Sequence, residues 1–230
     1  MTIQNNIARI RQQIDAACRK AGRDPATVHL LAVSKKKPLC DIEAAAAAGQ
    51  KMFGENYVQE FVGKYESCQL DIDWHFIGGL QSNKVKYLRG KVAMIHSVDR
   101  LSLAKEIDRQ WGECESPVDI LIQVNIGNEP TKAGVSASDL EPLVRQLAPL
   151  QNLRIRGLMA IPPQSDNPEE SRRWFKKMRQ LADSIEALNL QNISMSELSI
   201  GMSDDFEVAI EEGATLIRIG TAIFGARDYA

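Results

Sequence analysis

Val28-His29-Leu30-Leu31-Ala32-Val33-Ser34-Lys35-Lys36-Lys37-Pro38, continuing through the alanine-rich segment to Ala48 and Gly49, is the stretch on which the fold turns. Val28 to Val33 is a short apolar run of the kind that forms a buried strand. Pro38 to Ala48 is strong helix-forming sequence, and Gly49 supplies the stop. Together they make one strand-helix unit with its polar residues, Ser34 to Lys37, gathered at the junction.

The same unit recurs along the chain. Lys51 to Phe53 predicts a strand before a helix over Glu55 to Ser67, and Trp74 to Ile77 a strand before a helix over Ser82 to Leu88. Val92 to Ser97 leads into Leu101 to Trp111, Val118 to Asn125 into Ser138 to Leu147, and Leu153 to Ala160 into Glu169 to Leu188. Glu197 to Ile200 precedes Asp204 to Glu212, and Leu216 to Ile219 precedes a last short helical stretch. Before the first unit, Ile3, Ile7, Ile10, Ile14 and Ala17 recur at helical spacing within Ile3 to Arg19, ahead of Gly22. Eight strand-helix units with short connections require parallel pairing and close as a (β/α)8 TIM barrel. The expected fold is therefore α/β: a single barrel domain over residues 1–230 with an extra N-terminal helix. The competing open, doubly wound sheet lacks its G-x-G-x-x-G turn after any strand.

Composition agrees with a globular chain of that size. Its 230 residues are 44% hydrophobic and 25% charged, which excludes disordered and collagen-like classes. With 28 Lys and Arg against 30 Asp and Glu, the net charge of −2 argues against nucleic acid as a main partner. Cys18, Cys40, Cys68 and Cys114 lie far apart, without metal-ligand spacing, and suit a reducing compartment. Neither a signal-peptide pattern nor an apolar run of membrane-spanning length is present, so the expectation is a cytoplasmic protein without a membrane or metal.

A TIM barrel builds its site at the C-terminal ends of its strands. Three candidates lie there. The first is Ser34 to Lys37: a lysine partly desolvated at a barrel mouth can supply the neutral amine that forms a Schiff base with a carbonyl. Strand alternation puts Lys35 and Lys37 on one face and Lys36 on the other, leaving the choice open. The second is the pair of small-residue loops after strands seven and eight, Gly201-Met202-Ser203 and Gly220-Thr221, where barrels often bind phosphate. Asp204 and Asp205 compete for the same positive end, and Ser203 can equally be a helix cap. The third is Arg218, which shares a strand face with Gly220 and points either at a ligand or at a carboxylate such as Glu55. His75 reads as a core histidine or a ligand contact, with His29 and His96 weaker. Asn56 and Asn83 can each donate to a ligand oxygen or cap a helix at a strand-helix junction, and Asn83 is read as a cap. A Schiff-base lysine, a phosphate cradle and an inward arginine in one barrel suggest pyridoxal 5'-phosphate, PLP.

Six strings carry a resemblance: Leu31-Ala32-Val33-Ser34-Lys35, Phe53-Gly54-Glu55-Asn56-Tyr57-Val58-Gln59-Glu60, Trp74-His75-Phe76-Ile77-Gly78, Gly157-Leu158-Met159, Gly201-Met202-Ser203-Asp204-Asp205 and Arg218 to Gly225. They closely resemble the pyridoxal phosphate homeostasis protein family, which is similar to the N-terminal barrel domain of alanine racemase. The resemblance implies that Lys35 is the Schiff-base lysine. It further implies that Ser203, Gly220 and Thr221 hold the cofactor phosphate and that Arg218 faces the pyridine nitrogen. Asn56, His75 and Met159 match positions lining the pocket. Gly79 departs from the pattern, which has a bulkier residue there.

A permanently charged arginine at the ring nitrogen weakens the cofactor as an electron sink. Racemases with this barrel take a second acid/base from a further β-domain, and here the chain ends just past the last unit. The leading expectation is thus a monomeric, non-catalytic PLP carrier that buffers or delivers the cofactor, with PLP-dependent apo-enzymes as recipients. The alternatives are a PLP-dependent racemase or lyase using His75 or Tyr57 as base, and an aldolase using Lys35 on a phosphorylated sugar.

Overall fold

The computed structural model describes residues 2–226. Eight parallel strands close in chain order into a barrel: β1 (His29–Val33), β2 (Met52–Glu55), β3 (Asp73–Phe76), β4 (Met94–Val98), β5 (Val118–Gln123), β6 (Leu153–Met159), β7 (Ile193–Ser199) and β8 (Leu216–Ile219). The ring closes where β8 pairs with β1, Leu31 lying opposite Arg218 and Ala32 opposite Ile219. Around it run α1 (Ile3–Lys20), α2 (Leu39–Ala47), α3 (Val58–Ser67), α4 (Leu101–Trp111), α5 (Leu140–Leu147), α6 (Pro168–Glu186), α7 (Phe206–Glu211) and α8 (Thr221–Phe224).

The barrel strands bury both faces, which is why Leu30, Leu31 and Ala32 form an unbroken apolar run. Their outward side chains join the helices in the main core, while Met94, Leu121, Met159 and Leu216 fill the barrel interior. The ring of helices is uneven. After β3 the expected helix over Ser82 to Leu88 is a 3-10 helix, Ser82–Tyr87, with Gln81 as its N-cap. Asn83 therefore lies inside this helix and does not cap it. After β8 the helix spans four residues, too short to cover the strands, and α1 supplies the missing layer. It packs against α2, α7 and α8 with Ile7, Ile10 and Ile14 buried, and Asn6 Nδ2 donates to Ile223 O at 2.8 Å. Thr2 caps its start by accepting from Asn5 N, and Arg19 and Lys20 complement its C-terminal dipole.

Most strand boundaries shift by one or two residues from the expected ones, and two of the differences have a structural reason. β7 begins at Ile193 rather than Glu197; its first half alternates with Ser194 and Ser196 and so lacks a continuous apolar run. Glu55, expected to open a helix, is the last residue of β2 and completely buried.

Candidate functional site

The C-terminal ends of β1, β2, β3 and β8, with the loops after β6 and β7, enclose a cavity of about 290 Å³. Lys35, Asn56, Ser203, Arg218, Gly220 and Thr221 line it, together with Val33, Ile77, Ile161, Met202 and Asp204. Six of the eight residues singled out from sequence thus meet in one place. His75 and Met159 are not in the lining: Met159 packs in the barrel interior, and His75 is buried in the polar chain described below. Sequence reasoning missed Val33 and Ile77; their position at strand ends was the available signal, but apolar residues there read as core, whereas Met202 lies in the small-residue loop singled out after the seventh strand. A second cavity, about 360 Å³, lies at the opposite end beside Arg11, Asp15, His29 and Lys51. Arg11 and Lys51 are engaged there with the carbonyls of Gly49 and Asp71.

The lysine run leaves the strand in a turn. Lys37 N donates to Ser34 O at 3.0 Å, and Lys36 has a φ of +58°. This turn breaks the alternation expected of an extended strand. Lys35 lines the cavity, whereas Lys37 Nζ donates to Phe224 O and Ala226 O at 3.0 and 2.8 Å, tying the turn to the end of α8.

Behind the turn, on the outer side of β1 and β2, lies a charged network built on the buried Glu55. Ser34 Oγ donates to Glu55 Oε1 at 2.6 Å, and Lys64 Nζ donates to the same oxygen at 2.7 Å. Lys64 also reaches Ser34 O at 2.8 Å and Glu60 at 2.6 Å, while Glu60 accepts from Lys36 N. Burial raises the Glu55 carboxyl above its ordinary value despite the Lys64 charge, and its second oxygen has no partner.

Glu55 is consequently not the partner of Arg218. The Arg218 guanidinium is buried and donates from Nη1 to Ser199 O and Oγ at 2.6 and 2.7 Å, and from Nη2 to Ala160 O at 2.9 Å. These bonds join β8 to β7 and to the end of β6. Burial lowers its pKa to about 10, with Asp205 opposing the shift, so it remains a cation at neutral pH.

From Ser199 a polar chain crosses the barrel interior. Ser199 Oγ lies 3.0 Å from His96 Nδ1, and His96 Nε2 lies 2.9 Å from His75 Nδ1. Because Ser199 Oγ accepts from Arg218, its single hydrogen is available to His96 Nδ1. His96 then carries its proton on Nε2 and donates it to His75. Both rings are neutral in this arrangement. Burial, reinforced by His29, lowers His75 to about 4; burial, His75 and the Arg218 charge hold His96 well below its ordinary value.

On the opposite wall, Met202 N donates to Asp205 Oδ1 at 2.7 Å, and Asp205 is the N-cap residue of α7. Ser203 therefore stands free of the capping role that was the alternative reading of it. Gly220 precedes α8, whose first N–H groups, on Thr221 and Ala222, have no acceptor within the helix. Asn56 Oδ1 is buried without a partner, and a Cβ on Gly78 would come within 2.1 Å of Asn56 O, so this wall requires glycine at 78.

A model of the alanine racemase N-terminal domain matches residues 4–228. Proteins named pyridoxal phosphate homeostasis protein are 47% identical in Aquifex aeolicus, over 100% of both chains, and 45% identical in Escherichia coli K12, over 99% of this chain and 98% of that one. The chain belongs to the pyridoxal phosphate homeostasis protein family. The solved structure of PipY from Synechococcus elongatus PCC7942 with PLP bound superposes with a TM-score of 0.86 at 38% identity, covering 97% of this chain and 100% of PipY. Alanine racemase of Corynebacterium glutamicum, at 16% identity and a TM-score of 0.69, covers 94% of this chain and 61% of its own, and shows the shared barrel fold. Among the described residues, no helix is long and apolar enough to cross a membrane, and no cluster of His, Cys, Asp or Glu is arranged to hold a metal.

Proposed function

We propose that this chain is a single-domain PLP carrier that holds the cofactor in the C-terminal cavity through a Schiff base on Lys35. The carrying observation is the buried Arg218 cation, fixed by Ser199 and Ala160, in the lining of the same cavity as Lys35. The unpartnered Asn56 oxygen supports a polar ligand in that cavity, since a buried polar atom is destabilising until a donor reaches it. The residues present fit PLP by their chemistry. Lys35 offers the amine, Ser203 and Thr221 offer hydroxyls and α8 its first N–H groups for a dianion, and Arg218 offers a cation to a ring nitrogen. PLP bound in this way supplies an aldehyde that condenses with the amine, with loss of one water.

Arg218 donates hydrogen bonds and accepts none, so it leaves a facing ring nitrogen unprotonated and disfavours carbanion chemistry. Of the two bases weighed for a racemase or lyase, His75 is buried within the polar chain and Tyr57 is exposed, and neither lines the cavity. These placements support carriage over turnover, with names of relatives such as those of A. aeolicus and E. coli pointing the same way. The test is borohydride reduction of the PLP-loaded chain followed by peptide mapping. Label on Lys35, absent in Lys35→Ala, together with no amino-acid turnover is the expected result; label elsewhere, or turnover that needs Lys35, would overturn the reading.

A further inference from the structure

Lys36 stands out among the backbone conformations. The described non-glycine residues with positive φ are Lys36, Asn128, Asn189 and Asn192. Asparagine tolerates the left-handed region because its short side chain bonds locally; lysine has no such compensation. The peptides on either side of Lys35 are nevertheless both held from α3. Lys64 Nζ donates to Ser34 O at 2.8 Å, and Glu60 Oε1 accepts from Lys36 N. Glu60 and Lys64 are one helical turn apart and pair at 2.6 Å, and Lys64 is anchored below by the buried Glu55. The helix thus grips the chain immediately before and immediately after the cavity lysine while its middle residue faces the cavity.

We propose that Glu60 and Lys64 are positioning residues that hold Lys36 in its left-handed turn and thereby present Lys35 to the cavity. The proposal deepens the reading of Lys35 as the Schiff-base lysine and rests on it. Release of Lys36 to ordinary backbone conformations would let the turn relax and carry Lys35 away from the carbonyl. The cost of one left-handed residue corresponds to about a tenfold change in the rate or extent of linkage.

The experiment mixes PLP with the full chain and follows the absorbance of the linkage, with borohydride trapping on Lys35 as the second readout. Glu60→Ala is expected to lower both by about tenfold. Glu60→Ala/Lys36→Gly is expected to recover them, because glycine takes positive φ without the clamp. Should Glu60→Ala fail to fold, Lys36→Val and Lys36→Gly carry the test; both remove the same exposed charge, and only valine resists the left-handed region. Undiminished linkage in Glu60→Ala, no recovery in the double variant, or equal linkage in the valine and glycine variants would overturn the proposal. Absence of label on Lys35 in the unmodified chain would instead overturn the cofactor reading beneath it.

Discussion

Outside the barrel wall, the buried Glu55 and the half-buried Lys64 and Glu60 pair their charges with one another; inside it, His75, His96 and Ser199 form a neutral chain that ends on a single arginine. Both networks sit behind the same cavity, and they do different things to it. The outer one closes its charges on itself and uses what remains to fix backbone, at Ser34 O and Lys36 N. The inner one offers Arg218 only neutral acceptors, so the guanidinium is aimed without being neutralised. A carboxylate in place of Ser199 would satisfy Arg218 equally well and cancel the charge that the cavity presents.

Removing one charge from the outer network has the largest expected effect. Lys64→Met leaves Glu55 buried with no cation, and unfolding in urea should show a loss of about 3–5 kcal/mol. Lys64→Met with Glu55→Gln should recover part of it; a single variant as stable as the parent would mean that the pair is solvated in solution.

The two networks also have opposite pH signs. His75 and His96 are held neutral, so the unfolded chain binds protons that the folded one refuses. The His75 contribution is intact above about 6.5 and is lost as pH falls towards about 4, a change on the order of 3 kcal/mol, and the His96 contribution has the same sign. Glu55, raised by burial, contributes in the reverse sense: its share is present below 4.5 and is lost as pH rises through its elevated value. Urea unfolding across pH 4 to 8 should therefore show an acid-side loss that His75→Phe/His96→Phe flattens. A profile unchanged by that pair would contradict the neutral chain.

Ser199→Ala leaves His96 Nδ1 without its donor and Arg218 with carbonyls alone, and should reduce stability by about 1–3 kcal/mol. At the other extreme, Gly79 has open space around its missing Cβ and no positive φ. Gly79→Ala should therefore raise stability by roughly 0.4–1 kcal/mol, read as a shift in the urea midpoint, and the loop's departure from the family pattern is then a matter of stiffness alone.

The barrel was legible because strands buried on both faces leave unbroken apolar runs, as Leu30 to Ala32 do, and because helices announce themselves by spacing, as Ile7, Ile10 and Ile14 do. Where those signals thin, the reading slipped. The polar alternation of Ser194 and Ser196 hid half of β7, and nothing in Ser82 to Leu88 distinguishes a 3-10 helix from an α-helix. The residues meeting at the cavity were legible from strand ends, since closure of the barrel brings those ends together whatever lies between them. The networks behind were not. The four-residue spacing of Glu60 and Lys64 predicts a pair, but their reach to Ser34 and Lys36 depends on how α3 packs against β1. Likewise His75 and His96 are recognisable as strand residues, and only the register between β3 and β4 makes them neighbours.

A crystal of the chain grown with PLP shows whether the cofactor is held between these two networks. The predicted result is density continuous with Lys35 Nζ, with the ring facing Arg218 and the phosphate at Ser203, Gly220 and Thr221. Ligand density elsewhere on the chain, with this cavity empty and Lys35 unmodified at saturating PLP, would contradict it.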